Sequence, residues 1–247
     1  MIHYHGTPLT PAADMVKSFA ARHAMVSFEH PEQIELAAEI CQSVVLDNGA
    51  FSAWRQGKPH DFKGYGAWCE TWLRHPAVEW CVVPDKIDGS EKENDALIAD
   101  WWFLPPAQSV PVWHMHESLA RLERLLVWPR IALGSSGEFA RIGGKKWWAR
   151  MAQAMDVVTD KEGRPLTKLH GLRMLNPGVF SKLPLASGDS CKVARNVGID
   201  KAWKGTYLPH SKAMRALIIM ERTERHASAN RWNREVIDDY QNMELLG

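Results

Sequence analysis

The feature that most constrains this chain is a rhythm. Short apolar runs rich in β-branched residues alternate with longer stretches of helical periodicity. Strands are expected at Ile2–His5, Met25–Phe28, Val44–Leu46, Trp80–Val83, Val110–Met115, Arg130–Leu133, Gly171–Leu175 and Leu185–Ser187. The intervening helices are expected at Pro11–His23, Pro31–Gln42, Asp61–His75, Glu91–Phe103, Ser118–Trp128 and Gly144–Val158, with a short one at Pro177–Leu183. Thr10 and Ser118 have the residue type and position of N-caps, and Pro11 and Pro31 suit a first helical turn. Trp148, Met151, Ala152 and Met155 recur at helical spacing. Such β-then-α units predict a parallel sheet, most simply a (β/α)8 TIM-type barrel. The length of 247 residues agrees, since such a barrel typically takes about 250. A doubly wound open sheet is the competitor. No Gly-x-Gly-x-x-Gly follows the first strand, which weakens its dinucleotide-binding form. The chain reads as one domain, a barrel over about 1–209 with a helical extension over 210–247. Lys212–Arg225 and Asn230–Leu246 supply the extension's helices, and 191–209 is basic and irregular.

Composition removes several function classes. Hydrophobic residues make up 45% and charged residues 24%, as in globular proteins and unlike disordered or collagen-like chains. No run approaches the roughly 20 apolar residues of a membrane span. The opening MIHYHGTPLTP lacks the regions of a signal peptide. The four cysteines, Cys41, Cys69, Cys81 and Cys191, form no CxxC and no zinc-spaced cluster with histidines. A reduced, cytoplasmic protein without metal or cofactor is therefore expected. The formal net charge is +1, which does not announce a nucleic-acid binder, although a local basic face would suffice. The 12 tryptophans are expected to be mostly packing residues, with some available to stack on bases.

In an α/β barrel the active site is built at the carboxyl ends of the strands. The residues closing each run are therefore the ones to examine. Strand three closes with Asp47-Asn48-Gly49-Ala50-Phe51 and strand four with Val83-Pro84-Asp85-Lys86. Strand five closes with Trp113-His114-Met115-His116-Glu117, and strand six with Gly134-Ser135-Ser136-Gly137-Glu138. Strand seven ends with Arg173-Met174-Leu175, and strand eight is followed by Gly188-Asp189-Ser190-Cys191. Three carboxylates are thereby expected on one rim, a set suited to acid/base or nucleophilic work at a carbon bearing a leaving group.

These segments resemble the tRNA-guanine transglycosylases. Asp47-Asn48-Gly49-Ala50-Phe51 looks like that family's Asp-Ser-Gly-Gly-Phe, and Val83-Pro84-Asp85 is similar to its base-reading aspartate after strand four. Gly134-Ser135-Ser136-Gly137-Glu138 resembles its Gly-Gly-rich turn, and Asp189 sits where it keeps the nucleophile. The resemblance spans about residues 44–195, with the motifs in the family's order. It departs in three ways. The zinc subdomain's Cys/Cys/Cys/His set is missing, Ser52 replaces a Gln, and His114-Met115-His116 replaces Gln-Gly-Gly. The shorter, zinc-free form looks more like the phage and bacterial branch that inserts 7-deazaguanines into DNA. A phage-encoded member would work in the host cytoplasm.

The resemblance implies Asp189 as nucleophile on the sugar C1′ and Asp47 as acid/base group. Asp85 would accept hydrogen bonds from a guanine-like edge, for which an acceptor-only carboxylate suits adjacent N–H donors. Phe51 and Met174 would pack on the two base faces, the Ser135 and Ser136 amides would bind its carbonyl, and Gly134 would permit close approach. His114 joins this substrate-binding set. Lys192, Arg195, Lys201 and Lys204, with Lys145 and Lys146 beside Trp147 and Trp148, are candidate phosphate contacts. The expected partners are DNA and a 7-deazaguanine such as the 7-cyano form or a derivative, and the expected state is a monomer.

Each residue also has a plainer reading. Asp-Asn-Gly is a turn signal, Asp85 could cap a turn, and Asp189 could form an Asx-turn. Phe51 could be core, Cys191 could be an unreactive thiol, and the basic run could be a solvated face. His114 and His116 alternate, and such a pair with a carboxylate could bind metal, although a pair without a third ligand is more often structural. The competing functions are the same exchange on tRNA, a nucleoside or glycoside hydrolase, and a nucleic-acid-binding barrel without catalysis.

Overall fold

A computed structural model describes residues 1–198 and 207–235. The strands are β1 (Ile2–Gly6), β2 (His23–Ser27), β3 (Ser43–Asp47), β4 (Val78–Val82), β5 (Ser109–Val110), β6 (Val112–His114), β7 (Arg130–Gly134), β8 (Lys168–Gly171) and β9 (Ser187–Ser190). The helices are α1 (Ala12–Phe19), α2 (Ile34–Ile40), α3 (Ala50–Gln56), α4 (Phe62–Trp72), α5 (Glu91–Asp100), α6 (Leu119–Leu125), α7 (Lys145–Val158), α8 (Pro177–Phe180), α9 (Lys192–Asn196) and α10 (Lys212–Glu224). The sheet order is β5-β4-β3-β2-β1-β9-β8-β7-β6. That is chain order read cyclically, and the registered pairs are parallel. The fold is α/β and barrel-like. A doubly wound sheet would instead reverse its order at a switch point.

Among the described residues nine strands stand where eight runs are expected, because the fifth run is split at Pro111. Proline has no N–H to give the ladder. The Pro111 carbonyl still accepts from Ala132 at 2.9 Å, and Val110 accepts from Val83 at 2.9 Å.

The chain divides into two compact units. The first comprises Ile2–Val82 and Asp189–His226. In it β2 and β3 pair residue for residue from His23↔Ser43 to Ser27↔Asp47. Val44, Val45 and Leu46 are fully buried, as expected for a parallel strand covered on both faces. Asp61 caps α4 by accepting from the Gly64 amide at 2.8 Å. From α4 the Tyr65 hydroxyl donates to the carbonyls of Val82 (2.7 Å) and Leu46 (3.4 Å), tying β4 to β3. Helix α10, capped by Ser211, packs on α1. It is locked by Glu224, which accepts from both His5 (2.9 Å) and Arg22 (3.2 Å).

The second unit comprises Val83–Gly188, Met1 and the residues from Ala227 on. Ser90 and Glu93 form the capping box of α5, and Ser118 caps α6 by accepting from Arg121 at 3.1 Å. Trp148, Met151, Ala152 and Met155 of α7 face inward as their spacing predicts, joined by Trp147, Ala154 and Val158. They pack with Trp113, Leu122, Ile131, Leu133, Leu169 and Phe180 into one core.

The differences from the sequence reading have physical causes. The predicted strand Gly171–Leu175 ends where it should begin, because β8 is Lys168–Gly171. Leu172 and Arg173 form a turn with Arg173 at φ 60°, closed by the Met174 amide on Gly171 at 3.3 Å. A polar His170 inside the true strand hid it. The expected Leu185–Ser187 strand is displaced to Ser187–Ser190, a run of small polar residues with no apolar signal. Pro11 rather than Thr10 occupies the N-cap of α1. Helices α3 and α9 lie where no helix is expected, and α10 matches the expected Lys212–Arg225 within a residue. The described part of Asn230–Leu246, up to Glu235, is mostly non-helical, and the remainder lies outside the described residues. No described helix is long and apolar enough to cross a membrane.

Candidate functional site

The candidate residues fall into two groups, one in each unit. In the first unit Asp47 closes β3 and is half-buried. Its Oδ2 accepts from the Gly49 amide at 3.1 Å, and Asn48 Oδ1 accepts from Ala50 at 2.8 Å. The Asp-Asn-Gly turn signal is thus real, and it serves to start α3. Gly49 is required there. Its φ is 76°, and a Cβ would lie 3.0 Å from the Glu29 side chain and 3.3 Å from Ser27 Oγ. His60 hydrogen-bonds the Asn48 carbonyl and stacks on Phe62 at 4.4 Å. Beneath this turn Tyr65 is held well above the usual phenol range by burial first, then by Cys69, Cys81 and the Asp47 charge.

Phe51 lies on α3, half-buried, with Trp54 at 5.8 Å and the Arg55 guanidinium 6.0 Å above its ring. Asp189 lies inside β9 at 5% exposure. The next residue, Ser190, accepts from the Lys192 amide on Oγ at 3.0 Å. Just past β9 the chain runs close to β1: a Cβ on Gly6 would sit 2.6 Å from Cys191 Sγ and 3.2 Å from Cys191 Cα. Lys192 and Arg195 project from α9 as exposed side chains, while Lys201 and Lys204 lie outside the described residues.

In the second unit Asp85 follows β4 at 6% exposure, and its Oδ2 is 2.7 Å from His114 Nε2. His114 ends β6 and stacks at 5.6 Å on the exposed His116, whose Nε2 lies 3.1 Å from the Gly89 carbonyl. Gly134 makes room for the His114 ring, since a Cβ there would lie 3.0 Å from Nδ1. Ser135 Oγ accepts from Trp147 Nε1 at 2.8 Å, its carbonyl accepts from Arg173, and Ser136 Oγ donates to Ile87 at 3.4 Å. Met174 is fully buried in the core cluster beneath Gly171. That is a packing position rather than an open wall for a base. Trp147 and Trp148 are core residues too, so the expected basic-aromatic patch reduces to its lysines. Lys145 and Lys146 are exposed on α7, and Lys146 pairs with Glu138 at 3.5 Å.

Sequence reasoning missed a group behind Asp85. Glu117 and Arg121 are both 1% exposed in their side chains and pair at 2.6 Å. Asn94 bridges Glu117 and the Lys86 backbone. Arg121 also reaches Asp95 at 2.7 Å. Nearby, Glu91 accepts from the Ser118 amide at 2.6 Å, which holds its carboxyl below the usual range. Glu117 appears in the strand-five motif, but nothing in sequence joins it to an asparagine on a charged helix. Among the described residues no group of three or more His, Cys, Asp or Glu could hold a metal ion.

Neither a scan against protein-family models nor a search of curated proteins gives a match. Chemically, the arrangement offers carboxylates at or just past the carboxyl ends of β3, β4 and β9, one of them held by a buried imidazole.

Proposed function

We propose that the chain is a DNA guanine transglycosylase, exchanging guanine for a 7-deazaguanine base. The observation that carries this reading is the placement of Asp47, Asp85 and Asp189 at or just past the carboxyl ends of parallel strands, where α/β barrels build their sites. The motifs around those residues resemble the transglycosylase family.

In this mechanism the Asp189 carboxylate attacks C1′ of the target deoxyriboside. The C1′–N9 bond breaks, and guanine leaves with the electron pair and a proton delivered by Asp47. The resulting glycosyl-aspartate is opened by N9 of the incoming base, whose proton returns to Asp47. Retaining glycosidases use the same two-step logic. Asp85, oriented by His114, accepts hydrogen bonds from the base's amino and ring N–H groups. The nucleotide must leave the stack at a cost of a few kcal/mol. Phosphate contacts at Lys192 and Arg195 offset this cost. DNA is taken as the acceptor because the motifs resemble the branch of that family that acts on DNA.

The test is incorporation of radiolabelled guanine into DNA, with tRNA as the alternative acceptor and Asp189→Ala as the control. Label in DNA that is lost in the variant supports the reading. Label in tRNA alone overturns the polymer assignment. Release of free guanine without incorporation points to a hydrolase, and binding without either activity to a non-catalytic barrel.

A further inference from the structure

Behind Asp85 lies a buried polar network that base exchange as described does not use. Glu117 Oε2 accepts from the His114 amide at 2.8 Å and from Arg121 at 2.6 Å. Its Oε1 accepts from Asn94 Nδ2 at 2.9 Å. Asn94, 1% exposed, also takes the Lys86 amide on Oδ1 at 2.8 Å and donates to the Lys86 carbonyl at 3.2 Å. Asp85 is therefore held twice. Its side chain is fixed by His114 at 2.7 Å, and its backbone is fixed through the next residue by Asn94. Both tethers end on the Glu117 carboxylate.

Stability alone does not call for this arrangement. Replacing a buried ion pair by apolar residues of similar volume is often neutral or stabilising. What the network supplies is a fixed direction for one carboxylate. Displacing a binding group by about 1 Å costs on the order of 100-fold in rate. A site built to hydrogen-bond a particular group also rejects analogues that lack it far more strongly than an apolar pocket would.

Resting on the reading of Asp85 as the base-recognising group, we propose that Asn94 and Glu117 are positioning residues that make Asp85 a rigid acceptor. The network thereby sets discrimination between purines that carry a 2-amino group beside a ring N–H, such as guanine, and those that lack the amino group, such as hypoxanthine.

The experiment compares wild type, Asn94→Ala, the milder Asn94→Ser and Asp85→Asn. The readouts are KM and kcat for guanine and hypoxanthine exchange, and the 15N resonances of the His114 imidazole. Asn94→Ala should raise the guanine KM about 10-fold, change kcat less than about threefold and cut the guanine-to-hypoxanthine preference about 10-fold. It should also move the His114 Nε2 resonance, with Asn94→Ser intermediate. If Asn94→Ala and Asn94→Ser lose thermal stability but keep both the preference and the resonance, the residues are structural and the proposal is overturned. The two failures are separable. A preference insensitive to Asp85→Asn overturns Asp85 as base reader, whereas one that moves in Asp85→Asn but not in the Asn94 variants overturns the positioning role alone. Should wild type exchange no purine, base exchange fails, and the His114 resonance still decides whether Asn94 orients the pair. If Asn94→Ala does not fold, Asn94→Ser carries the comparison.

Discussion

Removing Glu117 alone should cost the protein more than removing Glu117 and Arg121 together. Glu117→Leu leaves the Arg121 guanidinium buried, with only the Val112 carbonyl at 2.9 Å and the part-exposed Asp95 at 2.7 Å as polar contacts. It also strips the acceptor from the His114 amide and from Asn94 Nδ2. Breaking a buried pair from one side costs about 3–5 kcal/mol, and Asp95 keeps this case near the lower end. Arg121→Met leaves Glu117 with two N–H donors, at a cost of about 3 kcal/mol. The double variant Glu117→Leu/Arg121→Met has no stranded charge. Its remaining penalty is the orphaned donors, about 1–3 kcal/mol. The two single costs sum to about 6 kcal/mol, so the expected coupling between the sites is about 3–5 kcal/mol. Urea unfolding of the four proteins, with midpoints and m-values compared, measures it. Single variants each costing less than about 1 kcal/mol, or strictly additive costs, would refute the reasoning, because the pair would then behave as a solvated surface contact.

Gly163→Ala should destabilise by about 2–3 kcal/mol, since φ is 75° and a Cβ would lie 2.3 Å from the Trp232 carbonyl oxygen; thermal melts check it, and a loss under 0.5 kcal/mol would contradict the geometry. Acid should weaken the first unit. Burial first, then the charges of His5 and the N-terminus, lowers His3 from 6.5 to about 4, so the unfolded chain binds the proton more readily and stability is lost as pH falls across that window. Burial would raise Glu224, but His5 and Arg22 outweigh it and lower it below 4.5, so its contribution is lost as pH falls through the folded value. Melting temperatures between pH 7 and 4 should fall, and His3→Asn should flatten the slope. Arg195→Ala should weaken DNA binding and reduce its salt dependence by about one unit of slope; an unchanged salt series would remove Arg195 from the interface.

The legible parts of the fold were those in which burial and periodicity agree. Val44–Leu46 and Arg130–Leu133 are apolar runs and proved to be the cores of β3 and β7. Ser118 was recognisable as a cap because a serine ahead of a helical pattern has few other uses. Strands β8 and β9 were misplaced because their interiors carry His170, Ser187 and Asp189, which have no apolar signature. Asp47 and Asp85 could be picked out because they follow apolar runs, and Asp189 because its place matches the motif order of the family the chain resembles. Asn94 could not, because on Glu91–Asp100 it sits among charged residues and resembles any solvated position. Its burial arises from contacts to Lys86 and to Glu117, which is 23 residues away.

Polar side chains inside parallel strands divide according to strand direction. Near the amino-terminal ends they satisfy one another. Arg130, the first residue of β7, donates at 2.9 Å to Oγ of Ser187, the first residue of β9. His23, the first residue of β2, similarly meets Ser43 at 2.8 Å. These contacts have a sufficient reason in the need of buried polar groups for partners. Toward the carboxyl ends the pattern changes. Asp47, Asp189 and Asp85 are carboxylates, and the hydrogen bonds described for Asp47 and Asp85 serve to fix an orientation: one backbone amide on Asp47 and one imidazole on Asp85. In a fold whose chemistry is confined to one end of the strands, position along the strand separates structural from functional polarity. Sequence alone treats Ser187 and Asp189 as neighbours of one kind, whereas strand direction sets Ser187 at the start of β9 and Asp189 toward its carboxyl end, the end on which the proposed function draws.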